Sequence, residues 1–291
     1  MMRKFYLENS IGQRIDLNGA TGIRFINPAG LGFDLTGTYA SLGTGFFVDI
    51  SGDEEPQLPI VGDIIFSRGE TYSTYRDFLD WLMQDYDLFF VYCPFETREY
   101  YRKVKMSYMS KTEKETVNIL RAPVSFAPLT PWFLPTPFRT IINYASTGYK
   151  RYPYRYPYRY PASRQEGAVE VTVIGHLPAA IRLEYAGLLT NPSIVITGET
   201  TGKIYGQCDI SATLESTDKL LYSSEKNNSY IKKQAADGTI TDLIDVVDVA
   251  DEAKEPFPEI PAVEPCRVAL VSSTAITNNA DIWIYNYYRG G

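Results

Sequence analysis

One histidine, three cysteines and 35 acidic residues are the raw material for chemistry in this 291-residue chain, and their spacing restricts it sharply. His176 is the sole imidazole, so a Ser-His-Asp or Cys-His site would have to be built around it. It lies in Ile174-Gly175-His176-Leu177-Pro178, a strand end with no nucleophile-elbow sequence beside it, and a structural or solvent-exposed role is expected. Cys93, Cys208 and Cys266 are scattered without CxxC spacing, which points to neither a disulfide framework nor a zinc site. Asp242, Asp245, Asp248 and Asp251 recur every third residue, with Glu252, Glu255 and Glu259 beyond. A calcium loop places oxygen ligands at alternating positions around a bend glycine, so this run reads as a solvated face. Paired carboxylates of a glycosidase carry no signal in so acidic a chain. GxGxxG, P-loop and HExxH motifs are absent from the sequence. The expectation is a protein with no catalytic residues, no metal and no cofactor.

A different chemistry is concentrated in residues 149–161, where Tyr152, Tyr154, Tyr156, Tyr158 and Tyr160 alternate with Arg151, Pro153, Arg155, Pro157, Arg159 and Pro161. Proline at every fourth position removes amide donors and clashes with the preceding turn, so a helix is excluded. Each residue before a proline is pushed toward extended geometry, and the missing donors bar the stretch from a central strand. An extended arm of roughly 35–40 Å follows, at about 3.1–3.3 Å per residue, with phenols on one face and guanidinium and pyrrolidine groups on the other. Arginine and tyrosine could serve phosphates and bases. The chain's net charge of −7 and the three prolines favour a protein contact instead. No specific nucleic acid is expected as a partner.

Length and 44% hydrophobic content suffice for two domains with real cores. Arg3 and Lys4 lead into a mixed polar segment rather than a signal peptide. No apolar run approaches the roughly 18 residues of a membrane span, and a protein of a reducing compartment is expected. The first 137 residues read as β with one packed helix. Short strands are expected over Lys4–Leu7, Arg14–Leu17, Phe46–Ile50, Leu58–Phe66 and Leu88–Tyr92, the last ended by Cys93-Pro94. Tyr100–Met109 and Thr116–Phe126 form a predicted hairpin. Tyr75, Phe78, Leu79, Leu82 and Met83 fall on one helical stripe, with Thr71 or Ser73 as cap and Asp77 in the first turn. Past the arm, eight short strands from Ala168 to Tyr287 with turn residues between them predict a β-sandwich or jelly roll. In the last of these, Ile282 and Ile284 alternate with Trp283 and Tyr285, so one set faces inward and the other outward.

Taken in order, these features resemble the distal tail proteins of long-tailed bacteriophages, the siphovirus-type tail component. The resemblance runs over nearly the whole chain. It rests on the hairpin around Asn9-Ser10-Ile11-Gly12, the helix followed by the apolar strand Leu88–Tyr92, and the basic segment Arg102-Lys103-Val104-Lys105 with Lys111 and Lys114. It continues through Ser125-Phe126, the aromatic exit Thr130-Pro131-Trp132-Phe133, the Tyr-Pro-rich arm, and Ala186-Gly187 running into Asn191-Pro192-Ser193-Ile194. The arm is longer and more repetitive than the family pattern, and residues 251–265 look like a variable loop.

The resemblance implies a mainly β, structural virion protein with an N-terminal split β-barrel carrying one helix, spanning residues 1–137. An extended Tyr/Pro/Arg connector at 138–165 and a C-terminal galectin-like or jelly-roll-like β-sandwich at 166–291 would follow. Six N-terminal domains would form a ring that continues the tail tube as the baseplate hub. Implied partners are further copies of the chain, the tail tube and tape-measure proteins, a tail-tip protein and receptor-binding proteins. The implied place is the phage tail tip, after assembly in the bacterial cytoplasm. On this reading Arg151, Tyr152, Tyr154, Arg155, Tyr156, Tyr158, Arg159 and Tyr160 are the candidate contacts between subunits or domains, with an acidic loop such as Asp53-Glu54-Glu55 as counterpart. The alternative is a host-surface carbohydrate-binding module, with Trp283, Tyr285 and Tyr287 as the sugar contacts.

Overall fold

Period-two burial dominates the chain, because short strands rich in Val, Ile, Tyr and Phe bury one face and solvate the other. A computed structural model describes residues 3–32, 39–41, 47–49, 58–67, 71–84, 86–95, 98–111, 118–144, 167–226, 228–249 and 254–291. The chain divides into two units, Met1–Pro135 with Tyr288–Gly291, and Thr136–Tyr287.

The first unit contains β1 (Lys4–Asn9), β2 (Arg14–Asp16), β3 (Ile23–Ala29), β4 (Tyr39–Ser41), β5 (Phe47–Asp49), β6 (Ile60–Phe66), α1 (Thr71–Leu82), β7 (Leu88–Phe95), β8 (Arg98–Met109), β9 (Leu120–Pro128) and β10 (Trp132–Phe133). Antiparallel ladders connect β2-β1-β7-β8 and continue through β9 and β6 to β3. The order is open, because among the described residues no ladder pairs β2 with β3 and only an isolated bridge between Asn18 and Arg24 links that edge. Phe5, Phe25, Phe66, Phe90, Phe126 and Trp132 fill the core. The Phe5 and Phe25 rings meet edge-on at 5.5 Å, as do Phe25 and Phe90, an arrangement that adds about 0.5–1.5 kcal/mol per pair beyond burial. The C-terminal residues complete this unit, with Tyr288 edge-on to Tyr100 at 5.3 Å and the Gly291 amide donating to the Leu31 carbonyl.

Three local expectations differ from the structure. Strand β7 does not stop at Cys93-Pro94 but runs to Phe95, because a register shift between Tyr92 and Phe95 absorbs the proline. Helix α1 begins at Thr71, which puts Asp77 in the second turn and leaves the first without an acidic residue. Tyr75 and Phe78 are buried against Phe66, whereas Met83 lies past the helix end and is 69% exposed.

The second unit holds β11 (Phe138–Ile142), β12 (Gly167–Val171), β13 (Leu177–Ala186), β14 (Leu189–Thr190), β15 (Ser193–Gly198), β16 (Ile204–Ile210), β17 (Thr213–Leu214), β18 (Lys219–Glu225), β19 (Asn228–Gln234), β20 (Ile240–Asp242), β21 (Val247–Asp248), β22 (Cys266–Val271) and β23 (Ala280–Tyr288). One sheet has the order β11-β23-β13-β18-β19-β20 and the other β12-β22-β15-β16-β21. Their inner faces share one core, in which Ile181, Leu183, Tyr222 and Ile282 from the first sheet meet Ile194, Ile196, Cys208 and Leu270 from the second. That is a β-sandwich. Gly187 at φ +141° and Asn191 at φ 47° bracket β14, which pairs with β17. The Gly…Asn-Pro motif therefore marks two turns that need left-handed backbone.

Candidate functional site

The groups that could do covalent chemistry are dispersed. His176 is exposed just before β13, and its amide donates to the Tyr287 carbonyl at 2.9 Å. All three cysteines are free and buried. Burial pushes the Cys93 thiol up to about 11 and the Cys208 thiol up to about 12, the opposite of what activates a nucleophile. The acidic run splits by direction. Asp242 accepts the Ile244 amide at 3.0 Å, Asp245 lies in a short 3-10 turn, and Asp248 pairs with Lys254 at 2.6 Å. Asp251 and Glu252 lie outside the described residues. Among the described residues no three His, Cys, Asp or Glu side chains are grouped to hold a metal ion.

The aromatic strand β23 resolves its alternation, with Ile282 and Ile284 inward and Trp283 and Tyr285 half-buried on the outer face. Trp283 is not an open platform. Its cross-strand neighbours Arg139 and Arg182 place their guanidinium carbons 5.4 and 5.0 Å from the ring centroid. Arg139 is held in turn by Asp281 at 2.7 Å, and Arg182 is paired with Glu184. Tyr287 is 2% exposed, its hydroxyl accepts the Lys226 amide at 3.2 Å, and the Lys226 ammonium lies 5.7 Å from its ring centroid. Burial leaves the Tyr287 ring little surface to offer a sugar, and Trp283 already has cations for neighbours.

The arm candidates Arg151, Tyr152, Tyr154, Arg155, Tyr156, Tyr158, Arg159 and Tyr160 lie outside the described residues, as do Asp53, Glu54 and Glu55. Their anchors are described. Strand β11 pairs with β23 across Phe138–Ile142, and two residues later Tyr144 is buried with its hydroxyl donating to the Leu270 carbonyl at 2.6 Å. Gly167 opens β12 against the same ring, since a Cβ there would sit 2.3 Å from the Tyr144 ring. Tyr144 and Gly167, the described residues that flank 145–166, thus adjoin, and both belong to the second unit. The division between units falls after Pro135 and after Tyr287.

Sequence reasoning missed Arg102. Its basic neighbours suggest a charged hairpin, yet Arg102 is 1% exposed. It donates to the Thr130 and Leu58 carbonyls at 3.0 and 3.3 Å, and it lies 5.3 Å from the Trp132 ring centroid. Burial pushes its pKa down to about 10. The available signal was its register, because Arg102 and Val104 share the inward parity of β8. A second apolar cluster also lies opposite the main core, where Val91, Cys93 and Tyr101 pack with Tyr6, Phe89 and Phe133. Strand β7 is apolar on both faces, which is why its sequence shows no alternation.

Comparisons with known proteins fit this architecture. No curated protein matches the chain by sequence. A chain of the phage P2 baseplate in its activated conformation with Ca is 17% identical, with a TM-score of 0.61 over 100% of both chains. The SPP1 Dit (gp 19.1) protein, described as a paradigm of hub adsorption apparatus in Gram-positive infecting phages, is 10% identical with a TM-score of 0.59, over 97% of this chain and 98% of that one. At these identities the likeness is one of fold. Residues 4–129 match the family model described as the distal tail protein, N-terminal domain. That match covers most of the first unit, which is similar in sequence to the distal tail protein N-terminal domain.

Proposed function

We propose that this protein is a structural hub of a phage tail tip, whose first units assemble into a hexameric ring joining the tail tube to the tail-tip and receptor-binding proteins. The match of residues 4–129 to the distal tail protein N-terminal domain carries the reading. It is supported by a fold likeness that extends over the full length of a phage baseplate chain. A structural role also suits a molecule whose one histidine is exposed at a strand end and whose thiols are buried. Its place is the virion tail, after assembly in the bacterial cytoplasm, and the tape-measure protein is a further partner. The Tyr-Pro-Arg arm serves as a contact between subunits. Pinned at both ends to the second unit, it presents Arg151, Arg155 and Arg159 to an acidic loop of a neighbour such as Asp53-Glu54-Glu55.

The test is the native mass of the purified chain by light scattering across a concentration series, alone and with the tail tube protein of the same phage. A discrete species near six times 32.9 kDa, or a stacked pair of such rings, is expected. A monomer that persists in both conditions would overturn the reading.

A further inference from the structure

A polar cavity of about 480 Å³ opens on the outer face of the sheet β12-β22-β15-β16-β21. The register aligns its floor, with Ser193 opposite both Val271 and Asp209, Val195 opposite Gln207, and Asp209 opposite Asp248. The walls are hydroxyls and amides, including Asn191, Ser211 and Ser272. At the centre the Asp209 carboxylate accepts from the Ser193 hydroxyl and from the Gln207 amide at 2.7 and 2.9 Å. The Lys254 ammonium reaches both Asp209, at 3.1 Å, and Asp248, at 2.6 Å. Burial opposes ionisation of Asp209, but the bonds from Ser193, Gln207 and Lys254 outweigh it and hold its carboxyl below the usual range.

This network orients the rim. Ser193 and Gln207 spend donors on Asp209, so their oxygens remain as acceptors, while Ser272 is committed to the Thr190 carbonyl and to the Thr190 and Thr274 amides, which leaves the Ser211 and Ser273 hydroxyls to meet a ligand. A ligand that fits must donate and accept from neighbouring atoms, as vicinal hydroxyls do. Val195 and Val271 give the floor an aliphatic surface of the kind that takes the C–H face of a sugar ring. Among the described residues two carboxylates share one ammonium, a balance that disfavours phosphate and sulfate esters. The volume falls within the range of small-molecule sites, about 300–1,000 Å³.

We infer that this cavity is a binding site for a neutral saccharide, on the sheet opposite the one that carries Trp283. The inference goes beyond the hub reading and does not depend on ring formation. It is tested by applying labelled full-length protein to an array of neutral oligosaccharides containing gluco, galacto, rhamno and N-acetylhexosamine units, with polyglycerol phosphate as an anionic member. Hits are titrated by saturation-transfer NMR. Saturable binding of at least one neutral member is expected, weakened at least tenfold in Asp209→Ala. Val195→Trp fills the cavity without touching the hydrogen-bond network and gives the same loss, even where Asp209→Ala fails to fold. Trp283→Ala retains binding. The inference is overturned if no neutral glycan binds above background, if the anionic polymer is preferred, or if binding survives Val195→Trp.

Discussion

The pin beneath the arm can be tested by a double-mutant cycle. Tyr144 is 7% exposed, its hydroxyl bonds the Leu270 carbonyl, and its ring occupies the space that a side chain at 167 would need. Tyr144→Phe removes one buried hydrogen bond and should cost about 1 kcal/mol. Tyr144→Ala also empties the ring's volume and should cost about 3–5 kcal/mol. Gly167→Ala places a Cβ 2.3 Å from a ring carbon, an overlap that no flexible tip relieves, so overpacking should cost about 1–3 kcal/mol. Once the ring is gone, the added methyl has nothing to strike. The double variant Tyr144→Ala/Gly167→Ala should therefore be no less stable than Tyr144→Ala alone, with a coupling equal to the Gly167→Ala penalty. Urea denaturation supplies the free energies. Hydrogen exchange of peptides covering β12 and β22 reports the second unit separately, which a two-unit chain requires. Additive costs, or a Gly167→Ala variant as stable as the parent, would refute the contact.

Other outcomes follow from the same geometry. Asp63 is held below the usual carboxylate range by the Arg121 guanidinium at 2.6 Å and then by Asn27, with burial opposing. Because its folded pKa lies below the unfolded value near 3.8, its contribution is complete above that pH and lost as pH falls through the folded pKa. Asp63→Asn should cost about 1–3 kcal/mol at neutral pH, and acid titration of stability should show the gap closing in that window. Glu259 is the opposite case, raised by burial more than the Lys226 ion pair lowers it. Its penalty is absent below the ordinary value near 4.5 and complete above the raised one, so Glu259→Gln should melt higher than the parent at pH 7 and equally at pH 4. Trp283→Ala removes two cation–π contacts and should cost about 1–2 kcal/mol in urea denaturation, without changing the native mass. Replacing Arg151, Arg155 and Arg159 by alanine should shift ring assembly to higher protein concentration and flatten its salt dependence in light scattering.

Much of the β architecture was legible because strand burial has a period of two, a pattern written directly into residues such as Ser193–Gly198 and Cys266–Val271. Helix α1 was legible from its stripe. The exceptions each have a local cause. Pro94 reads as a strand end, yet a register shift absorbs it. Lys103 and Lys105 make Arg102 look solvated, while its register turns it inward. The polar cavity was invisible in sequence because Ser193, Gln207, Asp209 and Lys254 are unremarkable singly and meet only through pairing across strands.

The chain by itself determines its class, because composition and periodicity are local properties: many short strands, one helix, an arm that proline keeps from being helical, and few groups able to catalyse. It also carries the ordered motifs by which residues 4–129 resemble the distal tail protein N-terminal domain. Tertiary structure alone decided that Tyr144 and Gly167 meet, that Ile282 and Ile284 rather than Trp283 face the core, and that the C-terminal residues finish the first unit. These depend on contacts between residues far apart in the chain. A strand's alternation says that one face is buried, and only its neighbours say which side that is and what covers the other.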